Sequence, residues 1–196
     1  MTSPVDLEPA ARRMAGLVEA VPDDALGRPT PCAEYTVGDL LDHIAGSALA
    51  FRAAAVKDPL EGGPSGNAAN LGPDWRARIP RTVLALGEAW RDPDAWTGMT
   101  AAGGVELPAE VAGVVALDEL LIHGWDLAKA TGQPDGYEGP GLEAVLGMVQ
   151  QFRAGGIEGL FGPEVPLPDD APLLHRIVGL AGRDPGWQPP GSELAP

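Results

Sequence analysis

Residues 116–126 read ALDELLIHGWD, and this stretch decides the fold that the sequence predicts. The apolar residues from Val111 to Leu127 spread around most of a helical wheel, which is typical of a helix buried on nearly every side. Glu119 and His123 interrupt this apolar surface. A carboxylate taken out of water without a partner costs many kcal/mol, so buried charges are normally paired or bound to a metal. We therefore expect Glu119 to have a partner inside the protein.

The spacing of Glu119 and His123 places both side chains on one face of the helix, and Asp126 continues the same row. His43 lies in a second apolar helix, between Leu and Ile neighbours. If the two helices are neighbours in an antiparallel bundle, His43, Glu119 and His123 supply two imidazoles and one carboxylate. That is the ligand set of a catalytic metal site with open positions, and it suits zinc or another first-row divalent ion such as Ni²⁺. The sequence thus predicts a divalent-metal site at one end of the core.

Each of these residues also has an ordinary structural interpretation. A glutamate and a histidine four residues apart stabilise plain helix surfaces. A single histidine among apolar residues, such as His43, is most often a hydrogen-bonded core residue. Asp126 could be a fourth ligand or part of a simple salt bridge. We expect it instead to accept the second ring N–H of a ligand histidine, because such partners are the rule around metals.

The rest of the chain predicts a helical bundle punctuated by proline and glycine. Thr36 and Asp39 have the form of a capping box at the start of the second helix, and Gly132 has the position of a cap at the end of the fourth and longest helix. The third helix is expected to begin near Pro80, a favourable first-turn residue, unless Trp75 extends it backwards. The predicted helices cover approximately residues 7–21, 36–56, 80–90, 108–131, 140–154 and 172–180.

The predicted fold class is therefore all-α: a four-helix bundle with an additional short helix and an irregular C-terminal tail over residues 185–196. Residues 94–106 read as turns and extended segments. Residues 61–73, EGGPSGNAANLGP, form a loop of a length that is uncommon unless it is functional or mobile, so we expect a lid or a mobile rim there.

Length and composition favour one compact domain over residues 1–196, since 44% of the residues are hydrophobic. The formal net charge of −15 would repel a phosphate backbone or an anionic membrane, so neither partner is expected. No run of about eighteen apolar residues, the length that spans a bilayer, occurs. A single cysteine and an N-terminus without a signal-peptide pattern indicate a cytoplasmic protein. The sequence leaves both a monomer and a homodimer open.

Cys32 and His175 are weaker candidates for a functional role. Cys32 is a lone thiol whose default role is packing. A nucleophilic role would need a basic neighbour, and Arg28 is the nearest one in the sequence. His175 belongs to the short last helix, and we expect it at the surface. The sequence contains neither a phosphate-binding glycine motif after a strand nor a nucleophile elbow.

Two motifs, in this order, resemble a known family. They are residues 30–46, TPCAEYTVGDLLDHIAG, and residues 116–132, ALDELLIHGWDLAKATG. They resemble actinobacterial metal-binding proteins related to the N-terminal domain of mycothiol-dependent maleylpyruvate isomerase, in the wider DinB/YfiT-like four-helix-bundle superfamily. The resemblance implies a metal bound by His43, Glu119 and His123. Three histidines are usual in the wider superfamily, so Glu119 places the chain nearer the isomerase branch.

The resemblance also implies a function: a metal-dependent transferase or isomerase that acts on a small electrophile with mycothiol, the low-molecular-weight thiol of actinobacteria, as co-substrate. A thiol bound to a metal is deprotonated and becomes a nucleophile. The resembled isomerase carries an additional C-terminal domain, whereas only a tail is expected here, so maleylpyruvate is not the expected substrate. The alternatives are a non-catalytic metal-binding or stress-associated protein, and a metal-dependent hydrolase with Asp126 as general base.

Overall fold

A computed structural model describes residues 5–156 and 160–190, and its helices confirm the all-α prediction. Within these residues the α-helices are α1 (Glu8–Glu19), α2 (Val37–Ala55), α3 (Trp75–Ala89), α4 (Ala109–Thr131), α5 (Leu142–Ala154) and α6 (Leu173–Leu180). Helices α1 and α2 each pack against both α3 and α4, which closes a four-helix bundle. Helix α5 packs against α4, and α6 packs against α5.

The start of α2 and the end of α4 follow the local signals of the sequence. The Asp39 carboxylate accepts a hydrogen bond from the Thr36 backbone N–H at 3.0 Å, and the Asp39 backbone N–H donates to the Thr36 hydroxyl at 3.3 Å. Gly132 ends α4 in the left-handed conformation, with a φ angle of 72°. Both predicted ends are confirmed, and they fix the positions of the site residues along these two helices.

Helix α3 begins at Trp75, so the predicted start near Pro80 is wrong and the backward extension is correct. Pro80 lies inside the helix, where its ring removes one backbone hydrogen bond. Burial of Trp75 and Ile79, which are 9% and 0% exposed, offsets this loss because it removes two large apolar side chains from water. The apolar contacts of the bundle therefore outweigh the local preference of the proline.

A small β-hairpin lies in the segment predicted as turns and extended chain. Strand β1 (Met99–Ala102) pairs antiparallel with β2 (Val105–Pro108), and Ala102 is the partner of Val105. The turn between them is Gly103-Gly104, whose φ angles of 60° and 79° suit a tight two-residue connection. The strands belong to an otherwise helical fold, and their pairing is a feature that the sequence did not predict.

Helix α4 runs through the centre of the core, as its apolar surface predicts. Leu117, Leu121 and Trp125 follow one another along one face, Leu127 lies on another side of the helix, and all four are fully buried. None of the described helices is both long and apolar enough to cross a membrane.

The loop of residues 61–73 lies against the N-terminal half of α2. Asp42 accepts hydrogen bonds from the Ser65 hydroxyl at 2.9 Å and from the Asn67 backbone N–H at 3.1 Å. Asp39 accepts another from the Ala68 backbone N–H at 2.8 Å. The loop is thus attached to α2 through two carboxylates, while its mobility and a role as a lid stay predictions.

The C-terminal segment returns to the bundle after α6. The Lys129 ammonium on α4 donates a hydrogen bond to the Pro185 carbonyl at 3.2 Å. Residues 185–190 contain neither helix nor strand, as predicted for the tail, and residues 191–196 lie outside the described part of the chain.

Candidate metal centre

The candidate centre lies where α2 and α4 pack against each other. His43 and Ser47 lie one turn apart on one face of α2, and Glu119 and His123 have the same spacing on α4. One donor atom from each of His43, Glu119 and His123 lies within 4.8 Å of the other two. The structure therefore brings together the three residues predicted as ligands, and metal binding by them stays a prediction.

Glu119 lies between the two histidines. Its Oε2 atom is 3.1 Å from His43 Nε2 and 3.7 Å from His123 Nε2. The Ser47 hydroxyl donates a hydrogen bond to the same oxygen at 2.9 Å. Burial acts to raise the pKa of Glu119, but the hydrogen bond with His43 and the charges of the two histidines together lower that pKa to about 2. Glu119 is thus an ionised carboxylate with polar partners, which is what its place in an apolar helix requires.

Asp126 lies on the other side of the His123 ring and is fully buried. Its Oδ2 atom is 3.0 Å from His123 Nδ1. Because an ionised carboxylate only accepts hydrogen bonds, this contact places the ring proton on Nδ1. In the neutral form of the ring, which is the form that binds a metal, the lone pair is then on Nε2, the atom that faces Glu119. This is the orientation of a histidine ready to bind a metal through Nε2.

Arg183, in the C-terminal segment after α6, completes this row of contacts. It donates hydrogen bonds to both oxygens of Asp126, from Nη2 at 3.1 Å and from Nε at 3.4 Å. Burial acts to lower the pKa of Arg183, but the adjacent Asp126 carboxylate raises it above its ordinary value. No sequence pattern pointed to Arg183, because no helical period connects the C-terminal segment with α4.

Tyr35 and Ser47 are further polar residues at the site that were not predicted. The Tyr35 hydroxyl is 3.4 Å from His43 Nδ1, and the two rings are 5.3 Å apart between centroids. Ser47 follows His43 by one helical turn, so its position on α2 was available as a signal. Tyr35 lies before α2, where no helical period applies.

Asp118 is the buried acidic group of the site that the sequence did not reveal. It is 7% exposed, and its Oδ1 atom has no hydrogen-bond partner among the described residues. Burial raises its pKa well above the ordinary value, and the neighbouring Glu119 charge adds to this shift. The Asp118 side chain therefore keeps its protonated, uncharged form to a higher pH than an ordinary aspartate does.

A cavity of about 660 Å³ opens beside the candidate centre. Its polar lining includes His43, Glu119, His123, Tyr35 and Arg183. The remaining lining residues include a set of apolar side chains from α4, α5 and the segment that follows residue 160: Val115, Ile122, Met148, Phe152, Leu160 and Phe161. No residue of the loop 61–73 is among the described lining residues, so this structure does not show the loop over the cavity.

Cys32 also lines the cavity. Its Sγ atom, a ring nitrogen of His123 and an oxygen of Asp126 lie within 4.8 Å of one another. Burial raises the pKa of the thiol, and the charge of Arg183 acts in the opposite direction. The basic group that acts on Cys32 is thus Arg183, whereas Arg28, its nearest basic neighbour in the sequence, pairs with Asp24 at 2.8 Å.

His175 lies on α6 and is half-buried rather than fully exposed. It does not line the cavity, and the structure does not bring it to the candidate centre.

The residues at the centre fit a divalent metal. Two imidazole nitrogens and one ionised carboxylate oxygen are the donors of many catalytic zinc sites, and three protein ligands leave positions for a further ligand. The side chains of His43, Glu119 and His123 keep 13%, 26% and 11% of their surface exposed. A ligand in the cavity can therefore reach them.

Comparison with known proteins identifies a family that includes the helices of the candidate centre. The family model described as the mycothiol maleylpyruvate isomerase N-terminal domain matches residues 7–128. Two relatives in Mycobacterium tuberculosis are the uncharacterized protein MT0763 of strain CDC 1551 / Oshkosh and the uncharacterized protein Rv0738 of strain ATCC 25618 / H37Rv. Each is 28% identical over 178 residues, which cover 86% of this chain and 91% of the relative.

The fold is similar to the crystal structure of the mycothiol-dependent maleylpyruvate isomerase, with a TM-score of 0.64 at 18% sequence identity. This likeness confirms the predicted DinB-like bundle. It covers 91% of this chain and 87% of that chain, so little of the crystallised chain has no counterpart here. The expectation that this chain lacks a large C-terminal part of the isomerase is therefore wrong.

Proposed function

Because the chain belongs to the family of the mycothiol maleylpyruvate isomerase N-terminal domain, we propose that it is a metal-dependent enzyme that uses a low-molecular-weight thiol. In this proposal His43, Glu119 and His123 hold a divalent metal, with zinc the best match to two imidazoles and a carboxylate. The observation that carries the proposal is the convergence of these three donors, from two different helices, at the edge of an open cavity.

The other polar residues of the site hold these three ligands in position through hydrogen bonds. Asp126 accepts a hydrogen bond from the Nδ1–H group of His123, and Arg183 donates hydrogen bonds to Asp126 from the opposite side. The Ser47 hydroxyl orients Glu119, whose negative charge offsets that of a divalent ion. Outer contacts of this kind typically change metal affinity or activity about 10–100-fold when they are removed.

A bound divalent metal supplies one chemical function here, since it lowers the pKa of a coordinated thiol and makes a thiolate available at neutral pH. The cavity, at about 660 Å³, is within the size range of small-molecule sites and has room for a thiol beside an electrophile. We propose mycothiol as the thiol, because the family and the structural neighbour are both named for it. The reaction class is transfer of the thiol to a small electrophile, or isomerisation of that electrophile after thiol addition.

Hydrolysis with Asp126 as the general base is disfavoured by the contacts of that residue. Asp126 is fully buried, and its two oxygens accept hydrogen bonds from His123 and Arg183. A general base must lie within hydrogen-bond reach of the substrate or of its attacking water. Asp126 does not line the cavity, so it lacks that access.

The test is the absorption spectrum of the cobalt-substituted protein during addition of mycothiol. A Cys32→Ser variant is used, because Cys32 is the single cysteine of the chain and its removal leaves mycothiol as the sole source of thiolate. We expect a near-ultraviolet thiolate-to-cobalt charge-transfer band that saturates with mycothiol. S-methylated mycothiol, which cannot form a thiolate, is the control and should give no band.

The outcomes separate the three classes of function. A band together with thiol-dependent turnover supports the proposal. Tight cobalt binding without a band and without turnover indicates non-catalytic metal binding, and turnover that needs no thiol indicates a hydrolase. Either of the last two results refutes thiol activation.

A further inference from the structure

The apolar part of the cavity indicates which electrophiles fit. Two helices and one further segment contribute to it. Val115 and Ile122 lie on α4 with the spacing of two helical turns, and Met148 and Phe152 lie one turn apart on α5. Phe161 belongs to the segment that follows α5. Small-molecule sites typically combine such an apolar lining with a few polar groups that fix orientation. The polar groups here are concentrated at the candidate centre.

The charges that line the cavity do not suit a small dicarboxylate. Among the described lining residues, Arg183 is the single lysine or arginine, and its guanidinium already donates two hydrogen bonds to Asp126. Glu34 and Glu119 line the same cavity as acidic residues, together with Asp118, whose raised pKa favours its uncharged form. The divalent metal of the proposed function can pair with one carboxylate of a ligand. A second carboxylate would leave water without a free lysine or arginine partner among the described lining residues, which is costly.

We infer that the electrophile has an apolar body, of the size of a phenyl ring or larger, and carries at most one negative charge. This inference rests on the proposed function, in which the thiol and the electrophile meet in this cavity. Its reactive carbon would lie near the metal ligands and its body against Val115, Ile122 and Phe152. Maleylpyruvate, the substrate named for the structural neighbour, is by its formula a small acid with two carboxylates. The substrate class of this chain therefore differs from that of the neighbour.

Binding of two probes to the zinc-loaded protein, measured by calorimetry without any thiol, tests this inference. The probes are 4-phenylbutan-2-one, which is neutral and has an apolar ring, and maleate, which is a small dicarboxylate. We expect the aryl ketone to bind at least about tenfold more tightly, since a few buried methylene groups in an apolar pocket already give that discrimination.

Two neighbouring valines on α4 provide a matched pair of variants. Val115 and Val114 are both half-buried, but only Val115 lines the cavity. Val114 lines an adjoining groove between α4 and α5, which shares Met148 and Phe152 with the cavity. Val115→Asn should weaken binding of the aryl ketone about fivefold or more, because a polar amide replaces apolar surface in the pocket. Val114→Asn introduces the same amide outside the cavity and should leave the affinity unchanged.

The inference is overturned if maleate binds as tightly as the aryl ketone, if neither probe binds, or if both valine variants weaken binding equally. Failure of the proposed function gives a different pattern. In that case the aryl ketone still binds in a Val115-dependent manner, but mycothiol produces no charge-transfer band in the cobalt protein. Thermal unfolding of both valine variants checks that a loss of binding is not a loss of folded protein.

Discussion

Asp126 and Arg183 are 57 residues apart in the sequence and form a buried, two-point hydrogen-bonded ion pair, with distances of 3.1 and 3.4 Å, directly behind His123. The pair connects the C-terminal segment with the longest helix. It also makes the orientation of a candidate metal ligand depend on residues beyond the part of the chain that the family model matches.

Removal of Arg183 should therefore lower both stability and metal affinity. In Arg183→Met the fully buried Asp126 carboxylate loses its cationic partner, and breaking a buried pair in this way costs about 3–5 kcal/mol. Zinc affinity should fall about 10–100-fold, because His123 loses the contact that fixes its supporting carboxylate. Urea unfolding and competition with a chelating dye measure the two effects. Arg176→Met, on α6, is the control, and equal behaviour of the two variants would show that the ion pair has no role at the centre.

Asp118 gives a prediction for the pH dependence of stability. Burial raises its folded-state pKa above the unfolded value, so the folded protein binds the proton more tightly than the unfolded chain does. The contribution of Asp118 to the free energy of unfolding should then decrease as the pH rises from about 4 toward the raised pKa. Asp118→Asn cannot ionise. With a chelator present, its stability should exceed that of the wild type by roughly 1–3 kcal/mol at pH 8 and by much less at pH 4.

Denaturant unfolding at several pH values between 4 and 8 measures this difference. The exposed Asp58→Asn is the matched control, because it makes the same chemical change at the surface. A difference between Asp118→Asn and the wild type that stays constant over the pH range would mean that the Asp118 side chain does not titrate differently in the folded state.

Asp42 should control the exposure of the loop 61–73. This carboxylate accepts hydrogen bonds from Ser65, Asn67 and Asn70, and it lies outside the cavity lining. In Asp42→Ala the loop loses these anchors, so a nonspecific protease should cleave within it about tenfold faster, in proportion to the population of the open loop. Asp58→Ala is the control. Cleavage of the wild-type loop as slow as that of α4, and unchanged in Asp42→Ala, would identify the loop as packed structure and remove a lid role.

Local signals account for the part of the fold and site that could be predicted from the sequence. The capping residues Thr36 and Asp39 and the period that aligns Glu119 with His123 act over one or two turns, so a single segment contains the whole signal. His43 could be assigned because an apolar helix carried an isolated histidine. Arg183 could not, since its position depends on the path of the chain after α6, and that path depends on packing between distant segments.

The wrong helix start at Pro80 and the failure to predict Asp118 have the same origin, which is packing between distant segments. Pro80 is a strong local signal for a helix start, yet the burial of Trp75 and Ile79 in the bundle extends α3 past it. Asp118 could not be identified from the sequence, because it adjoins Glu119 on the same helix and only Glu119 has the spacing that aligns it with His123. That its Oδ1 atom has no hydrogen-bond partner among the described residues depends on how the surrounding helices pack, which a single segment does not reveal.

Glu119 should respond to substitution differently in the two metal states. With zinc bound, its carboxylate offsets the charge of the ion, and Glu119→Gln keeps the size of the side chain but removes that charge. Zinc at about 100 times the wild-type dissociation constant should stabilise the wild type by about 2.7 kcal/mol through mass action. The Gln variant should gain much less at the same zinc concentration, because its dissociation constant is higher.

With a chelator present, Glu119→Gln should be less stable than the wild type by about 1.5–3 kcal/mol, because the hydrogen bonds with Ser47 and His43 then involve a neutral amide instead of a carboxylate. Thermal unfolding of both proteins with chelator and with zinc gives the four required values. Glu110→Gln, an exposed change in the first turn of the same helix, should match the wild type in both conditions. A loss of stability of Glu119→Gln with chelator shows only that the Glu119 carboxylate makes favourable hydrogen bonds in the metal-free protein. The difference between the zinc-induced shifts of the wild type and of Glu119→Gln shows whether Glu119 binds the metal. Equal shifts in Glu119→Gln and the wild type would remove Glu119 from the metal site and refute the proposed set of three ligands.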